Sequence, residues 1–198
     1  MKTLIVKYTP REGSNTAILV EETRKILEKV SEVKILDLVK NPPDLFLEAN
    51  LNAYVKKHLH KKELETHENN YLKKMYEFTD QVIEAENIII AFPIYNFSMP
   101  AAIKAWLDSI LLAGKTFRYT EYGPEGLLQG KKFLIINTSD GTKPFSSRDF
   151  SSPYLKEIFN FMGVQDFKVS GLFGIKYTGI VQEKLEEFKN EVIEFFKV

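Results

Sequence analysis

Residues 87–100 read NIIIAFPIYNFSMP, and residues 101–114 continue AAIKAWLDSILLAG. After Asn87 every residue through Phe92 is apolar, so this run has no face that belongs in water. A short run of that kind suits a strand covered on both sides. Pro93 and Pro100 then bracket a loop of aromatic and polar residues. Beyond it, Ile103, Trp106, Leu107, Ile110 and Leu111 recur at i, i+3, i+4, i+7 and i+8, the spacing of one helix face. Pro100 suits the first turn of that helix and Gly114 its end. Buried strand, loop, amphipathic helix is the repeating unit of a parallel α/β domain.

The same unit recurs in both directions. Short β-branched runs occur at residues 3–7 (TLIVK), 33–38 (VKILDL), 133–137 (FLIIN) and 167–173 (FKVSGLF). Helical stripes lie between them. One carries Leu19, Thr23, Ile26, Leu27 and Val30; another carries Leu47, Leu51, Tyr54, Val55 and His58. A third carries Tyr71, Met75, Phe78 and Val82, and a later one Leu155, Ile158, Phe159 and Met162, started by Ser152-Pro153 and stopped by Gly163. Val181, Leu185, Phe188, Val192, Phe195 and Phe196 form the last.

Strand–helix alternation throughout predicts an α/β fold, a five-stranded parallel sheet with helices on both faces, right-handed crossovers and the order 2-1-3-4-5. It predicts one domain over residues 1–198. No internal repeat or low-complexity stretch interrupts it. Residues 61–70 (KKELETHENN) read as an exposed joint between two helices. Residues 115–128 read as a hairpin excursion, whose Tyr119 and Tyr122 are placed to form a lid or to meet a partner subunit.

Composition narrows the function classes. Lysine plus arginine number 27 and aspartate plus glutamate number 27, so no long-range field draws in nucleic acid or an anionic membrane. Any phosphate ligand must be held by local donors. The absence of cysteine excludes disulfides, thiolate metal sites and cysteine nucleophiles. MKTLIVKYTP is not a signal peptide, because Lys7 interrupts a short apolar run. No segment approaches the ~20 apolar residues of a membrane span. A cytoplasmic protein is the expectation.

In such a sheet, ligands bind beyond the carboxyl ends of the strands, where the strand order reverses. Three loops lie there. The first is Thr9-Pro10-Arg11-Glu12-Gly13-Ser14-Asn15-Thr16. It puts Ser14, Asn15 and Thr16 at a helix N-terminus, where free N–H groups favour an anion such as a terminal phosphate. Ordinary capping by Ser14 or Asn15 explains the same residues. The loop is neither a G-x-G-x-x-G fingerprint nor a Walker A loop.

The second loop, residues 93–100, offers a proline-stiffened aromatic wall with backbone donors, which suits a flat heteroaromatic ring. Simple packing of Tyr95 and Phe97 on the domain is the alternative. The third, Asn137-Thr138-Ser139-Asp140-Gly141-Thr142, is short and polar, with a glycine for close approach. Alone it reads equally as a turn. His58 and His60 point to different faces of a helix and His67 lies in the charged joint, so no metal site is expected. Trp106 is expected in the core.

Residues 93–136, PIYNFSMPAAIKAWLDSILLAGKTFRYTEYGPEGLLQGKKFLII, resemble the FMN-dependent NADH-azoreductases, which also act as quinone reductases. The P-x-Y-N-F element and TFRYTE-x-GPEGL carry the likeness. It is strong from about residue 87 to about residue 139 and collinear elsewhere. The resemblance implies a flavodoxin-like fold, a homodimer, one non-covalent FMN per subunit, and ping-pong hydride transfer from NADH or NADPH to an azo compound or quinone. It implies that Thr9, Ser14, Asn15 and Thr16 hold the FMN phosphate. Pro93, Ile94, Tyr95, Asn96 and Phe97 would line the ring, with Ser139 and Gly141 on its other side. No side chain is assigned as a catalytic acid or base. Two positions depart from the family pattern: Asp140 stands where it has an arginine, and Tyr8 where it has a small hydroxyl residue. The first bears on nicotinamide preference and substrate charge. A flavodoxin-type electron carrier is the rival reading, which the neutral net charge and the 116–127 insertion disfavour.

Overall fold

The computed structural model describes residues 1–141, 143–174 and 182–198. Its elements follow in chain order: β1 (Lys2–Lys7), α1 (Asn15–Leu27), β2 (Glu32–Asp37), α2 (Glu48–Tyr54), α3 (Thr66–Glu84), β3 (Asn87–Pro93) and α4 (Ala101–Ile110). Then come β4 (Phe117–Thr120), β5 (Gly123–Gly126), β6 (Lys132–Ser139), α5 (Ser152–Phe161), β7 (Asp166–Phe173) and α6 (Gln182–Phe196). Five strands form one sheet in the order β2-β1-β3-β6-β7, every pair parallel. Without the β4–β5 hairpin, that is the expected order 2-1-3-4-5.

The sheet is covered on both sides because its central strands are apolar on both sides. Ile88, Ile90 and Phe92 of β3 point into one core with Phe78 of α3, Trp106 of α4 and Phe159 of α5. Ile89 and Ala91 point into the other, with Leu19 of α1 and Phe188 and Val192 of α6. These five β3 side chains are fully buried. Each large one contributes roughly 1.5–3 kcal/mol to the fold. Trp106 is core, as expected.

Some local expectations shift. β2 is an edge strand, so Lys34 and Ile35 are exposed rather than covered on both faces. The apolar run at 133–137 continues as strand to Ser139, because Thr138 and Ser139 still pair with Leu172 and Phe173. α4 ends at Ile110, and Gly114 serves the next turn instead, at φ 82°. The stripe through His58 is α-helical only to Tyr54; Val55–Leu59 widens into a π-helical turn. Residues 115–128 do contain an antiparallel hairpin, β4 with β5. Leu128 N–H donates to the Met162 carbonyl (2.7 Å), and Gly126 lies against the Gly163 backbone. Val181 and Thr142 lie outside the described residues.

Candidate functional site

The C-terminal ends of β1, β3 and β6 deliver three loops to one place. At the first, Gly13 takes φ 63°, a left-handed conformation that reverses the chain, and Ser14 becomes the N-cap of α1. Ser14 Oγ accepts from Ala17 N–H at 3.3 Å. The N–H groups of Asn15 and Thr16 find no acceptor among the described residues. No acidic residue stands in the first turn. Unpaired donors and the positive end of the helix dipole together favour an anion here. Thr16 is fully buried, and its hydroxyl meets that of Thr138 at 2.7 Å, tying the start of α1 to the end of β6.

The second loop is a tight turn. Tyr95 and Ser98 exchange both backbone hydrogen bonds, 2.9 Å and 3.0 Å, around Asn96 at φ 49° and Phe97 at φ 70°. A two-residue turn with both central φ positive follows the twist of its strands. Asparagine tolerates that conformation; phenylalanine does so at a cost of order 1–3 kcal/mol. The turn leaves Tyr95 and Phe97 exposed at 43% and 50%. Ile94 N–H donates to the Thr138 carbonyl (3.0 Å), which fastens this loop to the third. There the Ser139 carbonyl accepts from Gly174 N–H at 2.9 Å.

Between the loops lies a cavity of about 240 Å³. Pro10, Arg11, Ser14, Asn15 and Thr16 line it from the first loop, Pro93, Ile94 and Tyr95 from the second, and Thr138, Ser139 and Asp140 from β6 and the third. The structure thus brings together seven residues singled out from the sequence: Ser14, Asn15, Thr16, Pro93, Ile94, Tyr95 and Ser139. Thr9, Asn96, Phe97 and Gly141 are not among the lining residues. Sequence reasoning did not select Pro10, Arg11 or Thr138. Arg11 had a signal, being a cation in the proposed anion loop. Asp140, noted as a departure, lines the same cavity as Arg11.

A larger cavity of about 680 Å³ lies at the other end of the sheet, lined by Lys131, Lys132, Gly163 and Asp166 among others. Its lysines are committed. Lys131 donates to the Ile83 and Ala85 carbonyls and Lys132 to that of Phe195. Burial pushes the Lys131 ammonium below the usual lysine range. Such cations close helix ends. Among the described residues no group of three or more His, Asp or Glu is arranged to hold a metal. His58 instead meets the Tyr76 hydroxyl at 3.0 Å, and burial, then Lys57 and Lys61, hold its pKa below the usual histidine value. No helix among the described residues is long and apolar enough to cross a membrane.

Similarity to other proteins covers nearly the whole chain. Residues 1–196 match the Flavodoxin_2 family, described as having a flavodoxin-like fold. The chain is similar to FMN-dependent NADH:quinone oxidoreductase 2 of Pseudomonas fluorescens (strain Pf0-1), 31% identical over 92% of each chain. It is also similar to the protein of that name from strain Pf-5 of the same species, 34% identical over 77% of this chain and 75% of the other. Among solved structures, an FMN-dependent NADH-azoreductase from Bacillus anthracis str. Ames Ancestor, in complex with FMN, superposes with a TM-score of 0.85. Its identity to this chain is 25%, over 98% of this chain and 97% of its own.

Proposed function

The chain belongs to the flavodoxin-like family of FMN-dependent NADH:quinone oxidoreductases and NADH-azoreductases, and from that premise we propose how its residues serve the reaction. It is an oxidoreductase that uses FMN and NADH and reduces quinones or azo compounds. FMN supplies the two-electron transfer that links NADH to the acceptor.

The residues present fit FMN. The α1 N-terminus offers two unpaired N–H groups and the side chains of Ser14, Asn15 and Thr16 to a phosphate, with Arg11 beside them. The cavity, at about 240 Å³, is smaller than the ~300 Å³ of a pocket enclosing a drug-sized ligand. Its lining residues would therefore hold the phosphate and ribityl part, and the exposed turn at residues 95–98 would be left for the ring. Ile94 and Tyr95 N–H are already paired within the protein. Those of Asn96 and Phe97 find no acceptor among the described residues, nor does the Asn96 side-chain amide find a partner there. Asn96 and Phe97 would orient the ring edge and stabilise negative charge there, although they do not line the cavity below. Thr9 would support the phosphate, and Gly141 the ring side, which Ser139 lines.

The open face left by this arrangement admits NADH and then the acceptor in turn, a ping-pong order. No side chain serves as acid or base; solvent provides the protons. The protein works as one domain, as a homodimer, in the cytoplasm. The unpaired donors of α1 lining one cavity with Ile94 and Tyr95, where the strained turn begins, are the observation that carries this reading.

The test is a visible spectrum of purified protein with FMN, then NADH under anaerobic conditions, then a quinone. Flavin bands that co-elute, bleach with NADH and return with the quinone are expected. Bound flavin that neither NADH nor NADPH bleaches would turn the reading toward an electron carrier, and no flavin uptake would end it.

A further inference from the structure

A single buried carboxylate organises the segment between β6 and α5. Asp149 is 4% exposed. Its Oδ1 accepts the N–H groups of Ser151 (2.9 Å) and Ser152 (3.0 Å), which caps α5. Its Oδ2 accepts Phe145 N–H at 2.8 Å, and its own N–H donates to the Ser146 carbonyl at 3.0 Å. Both oxygens are engaged, so the path from residue 145 to residue 152 is fixed around this side chain. Phe150 sits within that path. Its N–H donates to the carbonyl of Phe97 (3.1 Å), the residue held at φ 70° in the turn beside the cavity.

The ring of Phe150 is 62% exposed, more than that of Phe97. Packing does not explain it, since an exposed phenylalanine adds little to the core. Capping explains Asp149 Oδ1 but not the grip of Oδ2 on Phe145 or the bond from Phe150 to Phe97. The result is two exposed phenylalanines joined through the backbone, with exposed Tyr95 in the same turn. A flat acceptor arriving at the outward face of the cavity needs such a wall.

We propose that Phe150 contacts the acceptor and sets a preference for flat aromatic acceptors, and that Asp149 is the positioning residue that holds Phe150 and Phe97 in register. This rests on the oxidoreductase reading above. The test compares kcat/KM for a naphthoquinone with kcat/KM for ferricyanide, a small acceptor that offers no ring to stack. Phe150→Ala lowers the naphthoquinone-to-ferricyanide ratio by roughly tenfold, and Phe150→Trp restores it. Asp149→Asn, which cannot accept at both ends, lowers the same ratio while FMN content per protein is retained. If Asp149→Asn does not fold, Asp149→Ser, with one accepting oxygen, is measured in its place. A ratio unmoved in Phe150→Ala, or an equal fall for both acceptors, overturns the inference. Wild-type protein that binds FMN but oxidises NADH with neither acceptor overturns the oxidoreductase reading and this inference together; wild-type turnover with an unmoved ratio overturns this one alone.

Discussion

The two ends of the sheet are made from similar parts, strand ends and helix termini, yet their polar groups are used in opposite ways. At the end where the strands begin, several donors and acceptors are matched within the protein, although Gln81 Oε1 is buried without a partner. Lys131 closes the last carbonyls of α3, at Ile83 and Ala85, and Lys132 closes that of Phe195 in α6. Asn87 donates to Thr3, whose hydroxyl pairs with that of Ser31. At the end where the strands finish, the first donors of α1 have no acceptor and a phenylalanine is held in a costly conformation. A helix N-terminus whose first donors stay free can take an anion, which is how the proposed function uses this one. Under the proposed function, the begin end keeps the fold and the finish end would hold the ligand.

The largest expected effect tests the begin end. A side chain on Gly126 would run into the backbone of Met162 and Gly163, which cannot yield as a flexible side chain does. Gly126→Ala should therefore lower stability by about 3 kcal/mol, read from denaturant unfolding. The folded fraction should bind FMN as the parent does. Weaker FMN binding with little loss of stability would break the division between the ends.

The finish end should respond the other way. Ser14→Ala removes the cap accepting from Ala17 N–H, at about 1 kcal/mol of stability. It also removes a hydroxyl from the anion cradle, where a hydrogen bond to a charged group is worth ~1.5–3 kcal/mol. FMN Kd, from fluorescence titration, should rise by about tenfold or more, a larger effect than the change in stability. An unchanged Kd would leave Ser14 as a cap alone.

Much of this contrast was legible in the sequence. The all-apolar run before Pro93 announced a central strand, and the stripe through Trp106 announced the helix behind it. The loop at residues 93–100 stood out as a candidate site because two prolines and two aromatics gather at a strand end, although packing on the domain was the alternative. What was not legible depends on long-range approach. Thr138 reads as the end of a strand, and only the fold brings its hydroxyl to Thr16, 122 residues away in sequence. Asp149 looks like an ordinary surface aspartate, and its burial follows from a loop that wraps around it. The positive φ of Phe97 runs against local preference; tertiary contacts hold it there, so no propensity argument predicts it.

The smallest effect sharpens the comparison by asking whether the finish end is unmatched everywhere or only at the cavity. Lys7 and Asp37 are register partners at the ends of β1 and β2, and their side chains meet at 3.0 Å. Burial by itself would raise the Asp37 carboxyl. The hydrogen bond from Lys7 and the N–H groups of Val39 and Lys40 outweigh it, so the pKa lies below the ordinary aspartate value. A carboxylate with a lowered folded pKa contributes stability above its unfolded pKa, ~3.9. That contribution is lost as pH falls through the folded value. Asp37→Asn should thus cost about 1 kcal/mol at pH 7 and flatten the fall in stability below about pH 4. Denaturant unfolding of both proteins at pH 7 and in steps toward pH 3 reads the difference. Equal slopes would mean that the pair is idle. A steeper fall in the parent would mean that this end, too, is matched wherever it lies away from the cavity, which confines the free donors to the site itself.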